Sequence, residues 1–460
     1  MSVKNIITIL FIMIAGLTAC DRYLDQPVPD TAISQKQITE QDVPLLLNGV
    51  YKTTLSSWPP QSYPMTDIYS DDIVSIQGGN PAQFNPQAYE ACEPYPADGF
   101  GIGRYYSSAY GTVGNANFLI NFIRQRNNPA LHQALGEALT LRAFAFLQLA
   151  EIFGGVIITT QSETDINVIR RNKQPEQEVY DTIISQLQQA IPLMGDFTSP
   201  NRMSKQSAQL LLARVLLQRD RAPEAQTLAT AVITSGKRQL LTGSFSPIFR
   251  FNSSAREMLF QTAEGPVQSA YDRYGLFSLY SPPAPFRGNG TGLTWMDDQL
   301  VALYETSDTR REVIRMQMNG TVGRQLNYLL KYSGDTLQAA GNVYCIYPQL
   351  RISEAYLIAA EAAARQGIVD VTYFNELRAA RNASIQSAGD FASPEAFLAE
   401  IEKERRRELV GEGRRWQDMR RFKSALPFLK DKGRDSTRLY FPFPATELTR
   451  NIKLDQNDGY

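Results

Sequence analysis

Few residues in this 460-residue chain could do chemistry, and they are unevenly placed. His132 is the one histidine. It falls in the polar first turns of a helical pattern and reads as a surface residue. A metal site or Ser-His-Asp triad recruiting further histidines is excluded. Two acidic pairs, Asp71-Asp72 and Asp297-Asp298, invite a glycosidase comparison, because that chemistry needs only two carboxylates. Adjacent residues point different ways in a helix or a strand, so adjacency is no evidence of a catalytic pair. Gly99-Phe100-Gly101-Ile102-Gly103 follows no convincing strand, and Gly288-Asn289-Gly290-Thr291-Gly292 reads as a flexible loop; neither makes a dinucleotide fingerprint. Acidic loops occur without an EF-hand pattern, leaving calcium open. The expectation is a non-enzyme with no cofactor and no assigned metal.

Binding is better provided for. Flat aromatic faces beside Asp, Asn, Gln or Arg suit a ligand with apolar faces and many hydroxyls. Two loop-like segments carry that mixture. The first, Trp58 to Phe100, offers Trp58, Tyr63, Tyr69, Asp71, Asp72 and Tyr95. The second, Tyr271 to Trp295, offers Tyr271, Tyr274, Tyr280 and Arg287. These ten are the candidate ligand contacts. Trp295 opens an apolar patch with Leu300 and Leu303, and Trp416 follows a run of charge, so both read as packing residues.

The charge run lies in Ile346–Phe422, the stretch around which the chain is organised. Ser393 and Pro394 are helix-start residues. At 100° per residue, Glu404, Arg405, Glu408 and Glu412 share a face with Phe397 and Ile401, while Lys403 and Arg406 point away. A carboxylate on a core-facing stripe must be paired. Arg351, Arg378, Arg381, Arg414 and Arg420 are near in sequence. The segment is therefore read as a partly buried ion-pair network of Arg351, Arg378, Glu404, Arg405, Glu408, Glu412 and Arg414 that locks three helices together. The formal net charge of −1 removes the electrostatic case for nucleic acid.

Helical patterns cover about 40–56, 105–126, 129–153, 175–194, 204–236 and 351–382. The 129–153 pattern is apolar all round, which implies packing on several sides, and it stops at Gly154-Gly155. Ala213 and Ala225 stand twelve apart, as the small residues of a tetratricopeptide hairpin do, and Ala360 and Thr372 repeat the interval. The expected architecture is mostly α, with hairpins 40–126, 129–194, 204–236 and 351–382 stacked in a superhelix. A loop-rich insertion spans about 237–345, with a helical piece near 296–305, and an extended, aromatic tail spans 439–460. The only strand-like piece in the first loop segment is Ile73–Ile76.

The start of the chain sets the compartment. Ile6 to Ala19 is a 14-residue apolar run after Lys4, too short to span a bilayer comfortably but suited to a signal-peptide core. Leu17-Thr18-Ala19-Cys20 resembles a bacterial lipobox. That resemblance implies a signal peptide at 1–19, lipidation of Cys20, a polar tether at 20–39 and one domain at 40–460. Cys92 and Cys345 remain; their spacing does not say whether they pair.

Taken together, these pieces resemble the SusD/RagB family of outer-membrane nutrient-binding lipoproteins of Bacteroidetes. The marks are the lipobox with Leu24-Asp25, Asn48-Gly49-Val50-Tyr51, Gly136-Glu137-Ala138 through Leu141-Arg142-Ala143 to Phe153-Gly154, Leu212-Ala213-Arg214, and Arg351 through Ala360-Glu361-Ala362. The sharpest is Glu404-Arg405-Arg406-Arg407-Glu408-Leu409, followed by Glu412-Gly413, Arg415-Trp416, Asp418 and Arg420-Arg421. Gln456-Asn457-Asp458-Gly459-Tyr460 closes the match. Gly154-Gly155-Val156-Ile157-Ile158 and Asp458 depart from the family's usual turns. The resemblance implies a SusD-like fold with a loop-rich ligand face. It also implies a surface lid that captures oligosaccharide, or in some members peptide, for a TonB-dependent transporter of the SusC type. An envelope tetratricopeptide scaffold and a glycan-cleaving enzyme are the rival readings; a plain scaffold needs no long aromatic insertion.

Overall fold

The computed structural model describes residues 38–55, 59–76, 85–98, 101–161, 170–250, 257–267, 279–283, 292–332 and 343–460. Contacts divide the chain into two units, 1–45 and 46–460. The described part of the first, 38–45, holds a 3-10 turn at Glu40–Asp42, where the Asp42 carboxylate accepts from the Thr39 N–H at 2.8 Å. Helix α1 (Val43–Leu55) begins there.

The second unit is mostly α. It contains α2 (Pro59–Ile68), α3 (Pro86–Glu90), α4 (Ile102–Arg126), α5 (His132–Phe153), α6 (Glu176–Ala190), α7 (Lys205–Gln218) and α8 (Ala222–Thr234). After the insertion, which includes the short α9 (Asp298–Val301), come α10 (Ile352–Arg365), α11 (Thr372–Ala380), α12 (Pro394–Leu409), α13 (Arg415–Arg421), α14 (Ala425–Asp431) and α15 (Ala445–Arg450). The helices stack in order, α4 on α5, α5 on α6, α6 on α7 and α7 on α8. Helix α8 then packs on α10, although the whole insertion lies between them in sequence. Ala225 and Ala229 of α8 and Ala359 and Ala363 of α10 are buried, small residues that let two helices approach closely. The 102–126 helix has α5 as its main partner instead of pairing chiefly with α1.

Every residue of α5 from Gly136 to Phe153 is buried. Its polar members survive there because each has a partner. Tyr51 donates to Glu137 at 2.6 Å, Tyr105 donates to the Gln148 side chain at 2.8 Å, and Arg414 donates to Glu151 at 2.6 Å. Gly154 follows with φ +74°, and a Cβ there would meet the Tyr440 ring at 3.2 Å.

The insertion is not featureless loop. Strands β1 (Ile73–Ser75), β3 (Thr294–Met296), β4 (Ile314–Asn319) and β5 (Arg324–Leu329) form an antiparallel sheet in the order β1-β3-β5-β4. Strands β2 (Met258–Val267) and β6 (Val343–Arg351) form a separate two-stranded ribbon. Pro348 inside β6 and Gly265-Pro266 inside β2 argue against strands locally, and the ribbon accommodates them with register shifts. Opposite Pro348, the Gln261 N–H turns outward to the Pro200 carbonyl at 2.9 Å. The tail holds one helix, α15, where an extended run was expected. It starts directly after Pro444, whose fixed φ suits a helix entry. Phe441 and Phe443 just before it are fully buried, and the Phe441 N–H donates to the Ile152 carbonyl at 2.8 Å.

The charged face of α12 is interior. Glu404 accepts from Arg310 at 2.6 Å, Arg378 at 2.7 Å and Arg407 at 2.6 Å. Glu408 accepts from Arg351 and Arg381, each at 2.8 Å. Glu412 accepts from Arg351 and Lys331, each at 2.7 Å. Glu257, just before β2, takes Arg351 at 3.0 Å and Arg381 at 2.9 Å. Burial opposes ionisation of Glu404 and Glu408, but the surrounding guanidinium groups outweigh it and hold both below the usual carboxylate range. Arg405 and Arg414 stand apart from this group. Arg405 pairs with Asp418 at 2.8 Å, and Arg414 with Glu151. Arg406 does not face solvent; it crosses to Asp72 at 2.8 Å.

Candidate ligand-binding face

The two aromatic loop segments meet through main-chain pairing. Strand β1 belongs to the first segment and β3 ends the second. They align Ile73 with Met296, Val74 with Trp295 and Ser75 with Thr294. At one end the Ile76 N–H donates to the Leu293 carbonyl at 3.1 Å, and the Asp297 N–H donates to the Asp72 carbonyl at 2.9 Å at the other. Trp295, buried with Leu326 and Tyr328, is the apolar backing of this joint. Behind Gly292 is Pro283, whose Cδ would lie 2.6 Å from an added Cβ. The Asn319 amide holds the Gly292 carbonyl at 2.5 Å.

The charge network fixes the foot of this joint. Arg415 grips Asp71 with two bonds, 2.6 and 2.9 Å, and Arg406 bonds Asp72 at 2.8 Å. Burial tends to raise Asp71, but Arg415 outweighs it and the carboxyl is lowered. Asp72 is pushed up to about 6, because burial and the Asp71 charge outweigh Arg406. Its second oxygen has no hydrogen-bond partner.

Four candidate contacts sit in the interior and are corrected here. Tyr63 is buried and donates to the Pro348 carbonyl of β6. Tyr69 is buried edge-on to Trp416 at 4.7 Å, with its hydroxyl on the Arg438 carbonyl at 2.8 Å. Tyr280 is buried and donates to Asp67 at 3.0 Å. Asp72 is buried on Arg406. Burying a large ring while satisfying its hydroxyl is favourable, and these rings took that option. They position the face and do not present themselves to a ligand. Tyr95, 37% exposed, and Asp71 remain at the surface. Trp58, Tyr271, Tyr274, Arg287 and Cys20 lie outside the described residues. Cys92 is a buried free thiol, and the Cys345 side chain is likewise outside what is described.

At the joint is a pocket of about 420 Å³ lined by Asp71, Val74, Glu90, Asp297, Gln299 and Lys432 among others. Its charges are largely engaged, with Asp71 on Arg415 and Glu90 on Lys432. Asp297 caps α9 by accepting from the Gln299 N–H at 2.8 Å. Among the described residues no group of three or more His, Cys, Asp or Glu could hold a metal ion. No described helix is long and apolar enough to cross a membrane. Sequence reasoning missed Glu90, Gln299 and Lys432, whose proximity comes only from the β1–β3 pairing and the packing of α14.

Residues 23–217 match a family model described as starch-binding, associating with outer membrane, and residues 324–431 match the model of the SusD family. This chain belongs to the SusD/RagB family. Similar curated proteins include the SusD-like proteins P2 and P38 of Formosa agariphila. P2 is 26% identical over 504 aligned positions, covering 98% of each chain. P38 is 24% identical over 522, covering 99% of each. Among solved structures, a SusD superfamily protein from Bacteroides thetaiotaomicron shares the fold at a TM-score of 0.76 and 22% identity, covering 91% of this chain and 100% of that one. A SusD-like protein from Bacteroides fragilis does so at 0.78 and 18%, covering 95% and 100%. A laminarin-binding SusD-like protein does so at 0.75 and 20%, covering 92% and 100%.

Proposed function

We propose that this SusD/RagB member is a non-enzymatic, cell-surface glycan-binding lipoprotein. It is anchored in the outer membrane through Cys20 after removal of residues 1–19, with 20–39 as tether and 40–460 as one binding domain. It captures oligosaccharide and passes it to a TonB-dependent transporter of the SusC type. The observation that carries the reading is the β1–β3 joint, which pairs Ile73–Ser75 of one aromatic- and amide-rich segment with Thr294–Met296 at the end of the other. Support also comes from the family description and from the laminarin-binding relative. Asp71 and Tyr95 are the described residues assigned to ligand contact.

The test is native affinity electrophoresis of the purified chain in gels containing individual neutral glycans, with reducing ends assayed in parallel. Retardation without new reducing ends is expected. Tyr95→Ala should weaken the retarding interaction about three- to tenfold, the worth of one aromatic contact. New reducing ends that vanish when a carboxylate is mutated would overturn the non-enzymatic reading. Recovery of a protein partner with no glycan or peptide binding would favour the scaffold.

A further inference from the structure

A second cleft, of about 760 Å³, lies between α4, residues 157–161 and 170–171, and the C-terminal helix α15. Its wall includes Tyr110, Gly114 and Asn117 of α4, Arg170, and Glu447 and Arg450 of α15. None of the described candidate ligand residues lines it.

Two cations at this cleft have no carboxylate partner among the described residues. Arg142 is buried on α5 directly behind Asn117. Among the described residues it is held only by neutral oxygens, the Asn117 amide at 2.7 Å, the Gln186 amide at 2.8 Å and the Thr160 carbonyl at 3.1 Å. Arginine does not shed its proton, so this buried site keeps a positive charge. Asn117 passes its own amide hydrogens to the Thr159 and Gln161 carbonyls of the cleft rim. Arg170 is the second. Its Nε donates to the Arg450 carbonyl at 3.1 Å, and no carboxylate among the described residues pairs with it. Glu447, the one carboxylate among the described wall residues, is paired with Arg450 at 3.0 Å. A low-dielectric wall with uncompensated positive charge favours an anion in the space before it.

The volume is far larger than a phosphate needs and falls in the range of organic-ligand sites. Tyr110 supplies an aromatic ring, tilted at 44° to Tyr106 with centroids 4.6 Å apart, and its hydroxyl donates to the Ile157 carbonyl at 2.9 Å. We infer that this cleft is a second glycan site, selective for oligosaccharides bearing carboxylates. The sugar character rests on the glycan-capture reading above; the anionic preference rests on Arg142 and Arg170 alone.

Gly114 makes the test clean. A Cβ added there meets nothing within 4 Å, so Gly114→Phe fills the cleft without crossing the core and replaces a helix-interior glycine. Binding of galacturonate, glucuronate and mannuronate hexamers to the full chain would be measured by calorimetry, with a neutral glucose hexamer and an acidic hexapeptide alongside. At least one uronate is expected to bind and to weaken as salt rises. Arg170→Gln should raise its Kd about tenfold and Gly114→Phe more than tenfold, with unchanged thermal unfolding and unchanged binding of the neutral hexamer. Failure of all three uronates, uronate binding indifferent to Gly114→Phe, or tighter binding of the peptide would each overturn the assignment. Neutral binding without uronate binding would sink the cleft while sparing the loop face.

Discussion

Glu408→Gln is the sharpest perturbation of this fold. The side chain is fully buried and accepts four hydrogen bonds, from Arg351 Nη1 at 2.8 Å, Arg381 Nη2 at 2.8 Å, Arg381 Nε at 3.0 Å and Arg310 Nη1 at 3.3 Å. The amide keeps the shape and removes the charge. Its NH2 must then face guanidinium donors, and three buried arginines lose one shared anion. Removing one partner of a buried pair costs about 3–5 kcal/mol, because the remaining charge is uncompensated. Neighbouring Glu257, Glu404 and Glu412 blunt the effect, so the lower half of that range is expected. With a urea slope of about 3 kcal/mol per M, the midpoint should fall by about 1 M with the slope unchanged. Lys403→Gln, on an exposed pair with Glu400 on the same helix, should stay within about 0.5 kcal/mol. A loss below about 1 kcal/mol for Glu408→Gln would refute the argument that this network holds α12 against α10 and β6.

The pH profile of stability should have a maximum on the acid side of neutrality. Asp72, raised to about 6 by burial, and Asp67, raised by burial despite the Tyr280 bond, bind more protons folded than unfolded, so stability rises as pH falls from 7 toward 5. Glu404 is lowered to about 2 by Arg310, Arg407 and Arg378 against the cost of burial; its contribution is full above about 4.5 and is lost as pH falls toward 2. Denaturant titrations at a series of pH values check this, and Asp72→Asn should flatten the rise between 7 and 5. Gly413→Ala should cost about 2–4 kcal/mol. The residue has φ +67° and its new Cβ would lie 2.7 Å from the Tyr63 ring, so both backbone and packing resist; a urea midpoint equal to the wild type would contradict it.

Some of this was legible locally. The 3.6-residue period turned Glu404 and Glu408 toward Phe397 and Ile401, and burying a carboxylate demands cations. The partners were less legible. Arg310, Lys331 and Glu257 come from the insertion, where no periodicity points to them, and Arg405 and Arg414 went to Asp418 and Glu151 because the chain bends after Leu409 at Gly411, φ +78°. The all-round apolar pattern of α5 announced a helix packed on every side. Strands β2 and β6 escaped notice because a Gly-Pro in β2 and a Pro in β6 contradict local strand preference.

By itself the sequence determined the helical array, the start signal at Ser393, and the pairing requirement of the α12 acids, since these follow from spacing along a single element. It also marked the two segments rich in rings and amides. Only the tertiary structure decided which rings face outward. Tyr69 and Tyr95 carry the same side chain in the same segment, yet one is sealed against Trp416 and Phe441 while the other stays at the surface. Exposure is a property of what packs on a residue from across the chain. The Arg142 cleft is of the same kind: the buried cation, the neutral oxygens around it and Arg170 come together only when α4, α5 and α15 are assembled.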